Sequence, residues 1–157
     1  MSYSENYNKQ LQRLYKILQA SHKGYIEARN HSESSELKDL FEKYASEREH
    51  LTQQMRDKIA HYGGNADLDN DDAVGLLHRG WLSLKTSLTA NTPQNILESC
   101  RNADQVALDA YDDALQGDIL NDTELKTFLM EQRLNINENY IELDRRYFSL
   151  FKKDPSL

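Results

Sequence analysis

Apolar residues spaced alternately three and four positions apart run through almost the whole chain. This spacing places them on one face of an α-helix. In the first segment that face contains Tyr7, Leu11, Leu14, Leu18, Ser21, Tyr25 and Ala28. No segment of the sequence alternates apolar and polar residues over a useful length, as a half-buried strand would. The sequence therefore predicts an all-α protein.

Five helices are predicted from the points where this spacing stops and restarts. They cover 4–31, 36–62, 73–91, 93–116 and 122–152. The boundaries carry residues that are typical of helix ends. Segment 32–35 is rich in serine, Gly63 and Gly64 follow the second helix, and Thr92 precedes Pro93 as an N-cap residue.

The helix predicted at 73–91 decides the topology. The short connection at 32–35 makes the first two helices antiparallel neighbours. At ~1.5 Å per residue the 73–90 part of this helix would span about 27 Å, nearly the length of the bundle, and so return the chain to its starting end. The sequence therefore predicts one domain over 1–157, a ferritin-like four-helix bundle with an additional helix in the long crossover. An irregular five-helix array is the alternative.

The net charge of the chain limits the classes of partner that it is expected to bind. The sequence has 26 Asp and Glu residues against 19 Lys and Arg residues, a net charge of -7. Because like charges repel, we expect neither nucleic-acid binding nor membrane binding, and cations are the more natural ligands. The sequence has neither a signal-peptide layout nor an apolar run near the ~20 residues of a membrane span, so we expect a cytoplasmic location.

Common catalytic motifs are missing from the sequence. The single cysteine, Cys100, cannot form an internal disulfide, and we expect it to be a small buried residue. Neither a glycine-rich phosphate loop nor a hydrolase nucleophile motif occurs. The sequence therefore assigns no reaction and no catalytic residue.

Polar residues interrupt the apolar faces of the four long helices at about the same height. The candidate metal ligands among them are His22, Glu47, His50, Asp104 and Glu138. A buried carboxylate is costly unless it is paired, hydrogen-bonded or bound to a cation, so such a layer needs a partner. Glu47 and His50 form the Glu-x-x-His spacing of di-iron and di-manganese bundles. Carboxylate and imidazole ligands suit Fe, Mn or Zn.

The ligand pattern of a di-metal centre is incomplete in the fourth helix. Neither Glu131 nor Glu138 has a histidine three residues later. A single bound metal ion and a metal-free, hydrogen-bonded polar layer both fit this pattern better than a complete pair of metals. Pairing of Glu47 with a neighbouring Lys or Arg is the corresponding alternative for that residue.

The sequence is compatible with two functions. One is a bundle that binds a metal ion at a degenerate di-metal-type layer. The other is a non-enzymatic bundle without metal, associated with stress or with protein interaction, that forms a homo-oligomer or binds a protein partner. In the second case the polar layer fixes the register of the helices.

Several short segments also resemble a known family. They are Leu-His-Arg-Gly-Trp-Leu-Ser-Leu-Lys at 77–85, Ile-Leu-Glu at 96–98, Ala-Leu-Asp-Ala-Tyr at 107–111, Lys-Gly-Tyr-Ile-Glu-Ala at 23–28 and Tyr-Gly-Gly at 62–64. As a set they resemble an uncharacterised bacterial family of ferritin-like four-helix-bundle proteins, classed as a domain of unknown function. The resemblance extends over about 11–143. It implies the ferritin-like fold and a bacterial origin, and it implies no activity.

The chain departs from this family inside the polar layer. Ser21-His22 stands where the family commonly shows Gly-Glu, and Ala103-Asp104-Gln105 stands where it commonly shows Gly-Glu-Asp. Both departures change a candidate ligand position, which puts a working di-metal centre in doubt.

Overall fold

The computed structural model describes residues 3–66 and 92–152. Within these ranges the chain forms four α-helices, one short 3-10 helix and no strand. The α-helices are α1 (Tyr3–His31), α2 (Ser35–His61), α3 (Pro93–Ala114) and α4 (Thr123–Lys152), and the 3-10 helix covers Asp118–Asn121. The structure confirms the predicted all-α class. The helix predicted at 73–91 lies outside the described residues.

The helix ends follow the capping residues of the sequence. The Ser34 hydroxyl accepts a hydrogen bond from the Leu37 amide at the start of α2, and the Thr92 hydroxyl does the same for Asn95 at the start of α3. These contacts satisfy amides that have no partner within the helix. Thr92 is thus confirmed as an N-cap.

The connection between α3 and α4 differs from the sequence prediction. Helix α3 ends at Ala114 instead of residue 116, and the 3-10 helix that follows it was not predicted. This 3-10 helix contacts α1 and α4, and its residue Ile119 is fully buried. Burial of one isoleucine therefore shapes a segment too short to show a helical periodicity.

The core lies between the apolar faces of the four helices. Helix α1 packs along α2, α3 packs along α4, and α1 also contacts α3. Leu11, Leu18, Ile59 and Leu129 have no exposed surface. No helix within residues 3–66 and 92–152 is both long and apolar enough to cross a membrane.

Helix α2 ends in a Schellman motif centred on Gly63. The Gly63 amide donates to the Ala60 carbonyl and the Gly64 amide donates to the Ile59 carbonyl, at 3.0 and 2.9 Å. Gly63 has φ +79°, a left-handed conformation that costs a residue with a Cβ atom about 1 kcal/mol or more.

We expect Gly63→Ala to lower the free energy of unfolding by about 1 kcal/mol, because the Cβ atom strains this backbone conformation. Urea unfolding followed by circular dichroism measures the change. Gly117→Ala is the matched control, since Gly117 has φ -100° and its added Cβ atom would meet only the end of the Gln10 side chain. An equal loss in both variants would contradict the assignment.

Candidate functional site

The centre of the bundle holds an arginine with no exposed surface. Arg48 projects from α2, and its guanidinium binds both carboxylate oxygens of Asp104 on α3, at 2.9 Å through Nη1 and 3.1 Å through Nη2. Both side chains have zero exposed surface. Two parallel hydrogen bonds between opposite charges are among the strongest polar contacts in proteins.

The two remaining helices, α1 and α4, form further hydrogen bonds with this ion pair. The Tyr25 hydroxyl on α1 donates to Asp104 Oδ2 at 2.7 Å. Arg48 Nη2 also donates to Asn139 Oδ1 on α4 at 3.2 Å, and Asn139 Nδ2 donates to Glu47 Oε2 at 3.0 Å. We call Tyr25, Glu47, Arg48, Asp104 and Asn139 the central layer.

Burial and charge fix the protonation of two groups in the central layer. Burial opposes the charge on Arg48, but the Asp104 carboxylate outweighs it and holds the pKa of the guanidinium above its ordinary value. Burial, and then the charge of Asp104, raise the pKa of the Tyr25 hydroxyl well above its ordinary value. At neutral pH Arg48 is therefore a cation and Tyr25 a hydrogen-bond donor.

A second buried contact joins three helices, about two turns from the central layer along α3 and α4. Gln132 on α4 accepts a hydrogen bond from the Tyr111 hydroxyl on α3 at 2.6 Å, and its Nε2 donates to the Leu51 carbonyl on α2 at 3.1 Å. Because both ends of the amide have partners, burial of Gln132 costs little.

The structure brings two of the five candidate metal ligands into one network. Asp104 binds Arg48 directly, and Glu47, half-buried, reaches the same guanidinium through Asn139. His50 and Glu138 are exposed and lie outside this network, and His50 Nε2 is 3.2 Å from Gln54 Nε2.

His22 lies to one side of the central layer, between α1 and α2. Its Nδ1 is 2.9 Å from the Ala45 carbonyl oxygen. His22 lines an open cleft of about 400 Å³ together with Glu49, Lys23 and Arg56. The two basic side chains in this cleft disfavour a metal cation there.

The central layer does not fit a di-metal centre in this arrangement. Both oxygens of Asp104 bind Arg48, and one of them also accepts from Tyr25. Within residues 3–66 and 92–152, no group of three or more His, Cys, Asp or Glu side chains is arranged to hold a metal ion. The five-residue ligand set stays a prediction.

Arg48 is the residue that the sequence prediction missed. Tyr44 and Leu51 both lie on the apolar face of α2, seven residues apart. Between them, a step of three and then four residues places Glu47 on this face, whereas a step of four and then three places Arg48 there. Both steps fit a helix. The structure buries Arg48, and the signal for it was the opposite charge of Asp104 on the facing helix.

The arrangement matches a known structural class. A solved structure described as a dodecameric thioferritin, the bacterioferritin-related protein from Bacteroides fragilis, matches this chain with a TM-score of 0.76 and 17% sequence identity. The match covers 96% of this chain and 88% of that chain. At this identity the likeness shows the fold, and the protein is a ferritin-like helical bundle.

The family follows from the sequence. The chain belongs to the family described as domain of unknown function (DUF2383), whose sequence profile matches residues 6–117. This confirms the resemblance to a family of unknown function, which supported the ferritin-like fold that the long crossover predicted. Comparison with curated protein sequences finds no match.

We expect Asp104→Asn to lower the free energy of unfolding by about 3–5 kcal/mol, because it leaves a buried guanidinium without a balancing charge. Arg48→Met should lower the free energy of unfolding by a similar amount, because it leaves the buried Asp104 carboxylate without a counter-charge. The double variant Arg48→Met/Asp104→Asn should recover most of the loss, because no unpaired charge remains. Urea unfolding of the wild-type protein and of the three variants at pH 7 gives the coupling free energy between Arg48 and Asp104.

Asp112→Asn is the control for this cycle. It removes the ion pair between Arg133 and Asp112, whose side chains are 32% and 47% exposed, and should cost no more than about 1 kcal/mol. Losses that simply add in the double variant would show that Arg48 and Asp104 do not depend on each other.

Cys100 provides an independent probe of this core. It is fully buried on α3, and burial, followed by the charge of Asp104, raises the pKa of its thiol. Since the thiolate is the reactive form, we expect a thiol reagent to modify the native protein about a thousandfold more slowly than the urea-unfolded protein. Asp104→Asn should accelerate the native reaction by making opening more frequent. A native rate close to the unfolded rate would contradict the burial.

Proposed function

We propose that this protein is a non-enzymatic ferritin-like bundle that works by associating with protein, first of all with copies of itself. Its central layer then has a structural role, with an internal cation, Arg48, in place of a metal ion. The ion pair between Arg48 and Asp104 is the observation that carries the proposal.

Electrostatics support an internal cation at the centre. A divalent ion bound to Asp104 would lie close to the guanidinium, and two cations in a site of low polarity repel each other strongly. A metal would also have to displace the hydrogen bonds that Arg48 and Tyr25 make to this carboxylate. Entry of a metal therefore carries a cost in addition to desolvation.

Self-association has two lines of support. The similar structure from Bacteroides fragilis is described as dodecameric. In addition, four large apolar side chains of α4 are half exposed or more: Met130, Leu134, Ile141 and Phe148. Soluble monomers rarely expose contiguous apolar patches, so such a surface favours a protein partner.

Metal binding is the second candidate function. The likeness to a protein described as a thioferritin favours it, and makes iron the first metal to test, before Mn and Zn. Its proposed ligands are His22, Glu47, His50, Asp104 and Glu138. A bacterial origin is a further proposal, which rests on the resemblance to the family. A cytoplasmic location, a stress-associated role and the lack of nucleic-acid and membrane binding are proposals from the sequence and its charge.

Elemental analysis separates the two candidates. After anaerobic loading with Fe(II), Mn(II) or Zn(II) and removal of free metal, we expect the wild-type protein to retain well under one metal ion per chain. The reason is that Arg48 already neutralises the central carboxylate. Glu47→Gln and the control Glu49→Gln, an exposed neighbour on α2, should give the same low value.

About one metal ion per chain, lost in Glu47→Gln and retained in Glu49→Gln, would overturn the structural role of the central layer. Metal retained equally in both variants at one ion per chain would overturn the proposal of a bundle without metal, because it would show a metal site outside the central layer.

A further inference from the structure

Helix α4 has a second apolar face that is largely exposed. Its members are Met130, Leu134, Ile141 and Phe148, with 51%, 58%, 58% and 50% of their surface exposed. Within it the Phe148 ring lies 5.2 Å from the Arg101 guanidinium of α3. At about 100° per residue all four lie within about 40° of one another, and they extend over roughly 27 Å of helix. We call these four residues the outer stripe.

The outer stripe has the spacing of a helix-pairing surface. Leu134, Ile141 and Phe148 are seven residues apart, and Met130 lies four residues before Leu134. This is the heptad pattern by which two α-helices pack along each other. The buried face of α4, which includes Leu129 and Ile136, lies on the other side of the helix and already packs in the core.

Charged residues border the outer stripe with opposite sign on its two sides. Lys126 and Arg133 lie on one side, and Glu131 and Glu138 lie on the other, each pair again seven residues apart. Asp144 also lies on the basic side, where Arg101 of α3 binds and balances its carboxylate. Lys126, Glu131 and Glu138 make no ion pair with any residue in 3–66 or 92–152. These charges are therefore free to meet a partner.

This distribution of charge selects the orientation of the partner helix. In a parallel pair the basic side of one helix faces the acidic side of the other. Each basic residue then lies opposite the residue whose number is five higher in the second copy. Lys126 then faces Glu131 of the second copy. Arg133 faces Glu138 in addition to its contact with Asp112 of its own chain. In an antiparallel pair each side faces its own equivalent, so Glu138 would meet Glu138. Arg145, on the acidic side, is already bound by Glu142 of its own helix.

We propose that the outer stripe packs in parallel against the outer stripe of a second copy of this chain, forming a two-fold pair of α4 helices. The inference rests on the proposed function, because it assigns the proposed self-association to one surface. Asn137 lies within the stripe, and a parallel pair places its amide beside the same amide of the second copy, where the two can hydrogen-bond.

Sedimentation velocity over a series of concentrations tests the surface. A pair of single helices is a small interface, so we expect association that increases with concentration. The double variant Leu134→Glu/Ile141→Glu should weaken this step at least about tenfold, because it places charges inside the contact. Circular dichroism checks the fold, which should persist since both side chains are exposed.

Leu120→Glu is the matched control. Leu120 is 46% exposed in the 3-10 helix, outside the outer stripe, and its replacement should leave the association unchanged. Unchanged association of the double variant would overturn the proposal, as would a wild-type protein that stays monomeric at every concentration.

A charge exchange tests the pairing of specific side chains. Lys126→Glu and Glu131→Lys should each weaken association, because each places like charges opposite each other. The combined variant Lys126→Glu/Glu131→Lys should restore association to near the wild-type level, since the opposite signs are recovered. Failure of the combined variant to recover would contradict the parallel arrangement.

Cysteine cross-linking tests the orientation directly. In a parallel pair every stripe residue lies beside its own equivalent, so Met130→Cys and Phe148→Cys should each form a disulfide-linked dimer on mild oxidation. Cys100 is fully buried and does not compete. If instead the mixture of the two variants cross-linked and neither did so alone, the pair would be antiparallel and the proposal wrong.

The outcomes separate this inference from the proposed function. Association that survives the stripe variants would overturn the outer stripe as the contact and leave the proposed self-association in place. Stoichiometric metal in the central layer would overturn the structural role of that layer without changing the sedimentation result.

Discussion

An arginine without exposed surface needs a counter-charge and hydrogen-bond acceptors inside the protein, since desolvation of an unpaired cation is too costly for a small domain. Arg48 meets this requirement with one residue from each facing helix, Asp104 and Asn139. The same requirement fixes how α2, α3 and α4 slide along one another, because a shift of one turn, about 5.4 Å, would break every one of these contacts. Tyr25 adds α1 through its hydrogen bond to Asp104. The register of the bundle therefore depends first on this ion pair, and the buried contacts of Gln132 support it.

The periodicity of the sequence and the residues at its breaks were enough to predict the four α-helices of residues 3–66 and 92–152 and the caps of α2 and α3. Thr92 and the glycines after α2 lie where their sequence context placed them. The 3-10 helix could not be predicted, because four residues carry no periodic signal and its position depends on burial of Ile119 in the finished core. Local residue preferences determine helix ends, whereas short connections depend on packing that forms only in the folded protein.

The central layer was predicted less completely. Asp104 stood out because an acidic residue on an apolar face needs a partner, and the structure shows that partner to be Arg48. The sequence could not choose between Glu47 and Arg48, since both positions continue the apolar face of α2 and differ by only about 100° around the helix. The choice is made in three dimensions, where the long arginine side chain reaches the centre and Glu47 reaches only Asn139 at the edge of the network. A pattern typical of metal ligands in this fold can thus contain a salt bridge.

The centre and the surface of the bundle have different roles. The central layer sets the register of the helices, and the outer stripe of α4 offers a contact to a second chain. Both use the same helix: Asn139 lies on the inner side of α4, and Ile141 lies two residues further on the outer side. Correct register at the centre therefore also determines how the outer face is presented.

The most direct test of the central claim is a crystal structure of the protein grown with Fe(II) or Mn(II), with anomalous diffraction data to locate the metal. We predict continuous density for the Arg48 guanidinium against the Asp104 carboxylate and no anomalous peak within bonding distance of that carboxylate. An anomalous peak bound by Asp104 and Glu47, with the Arg48 side chain turned away, would contradict the account.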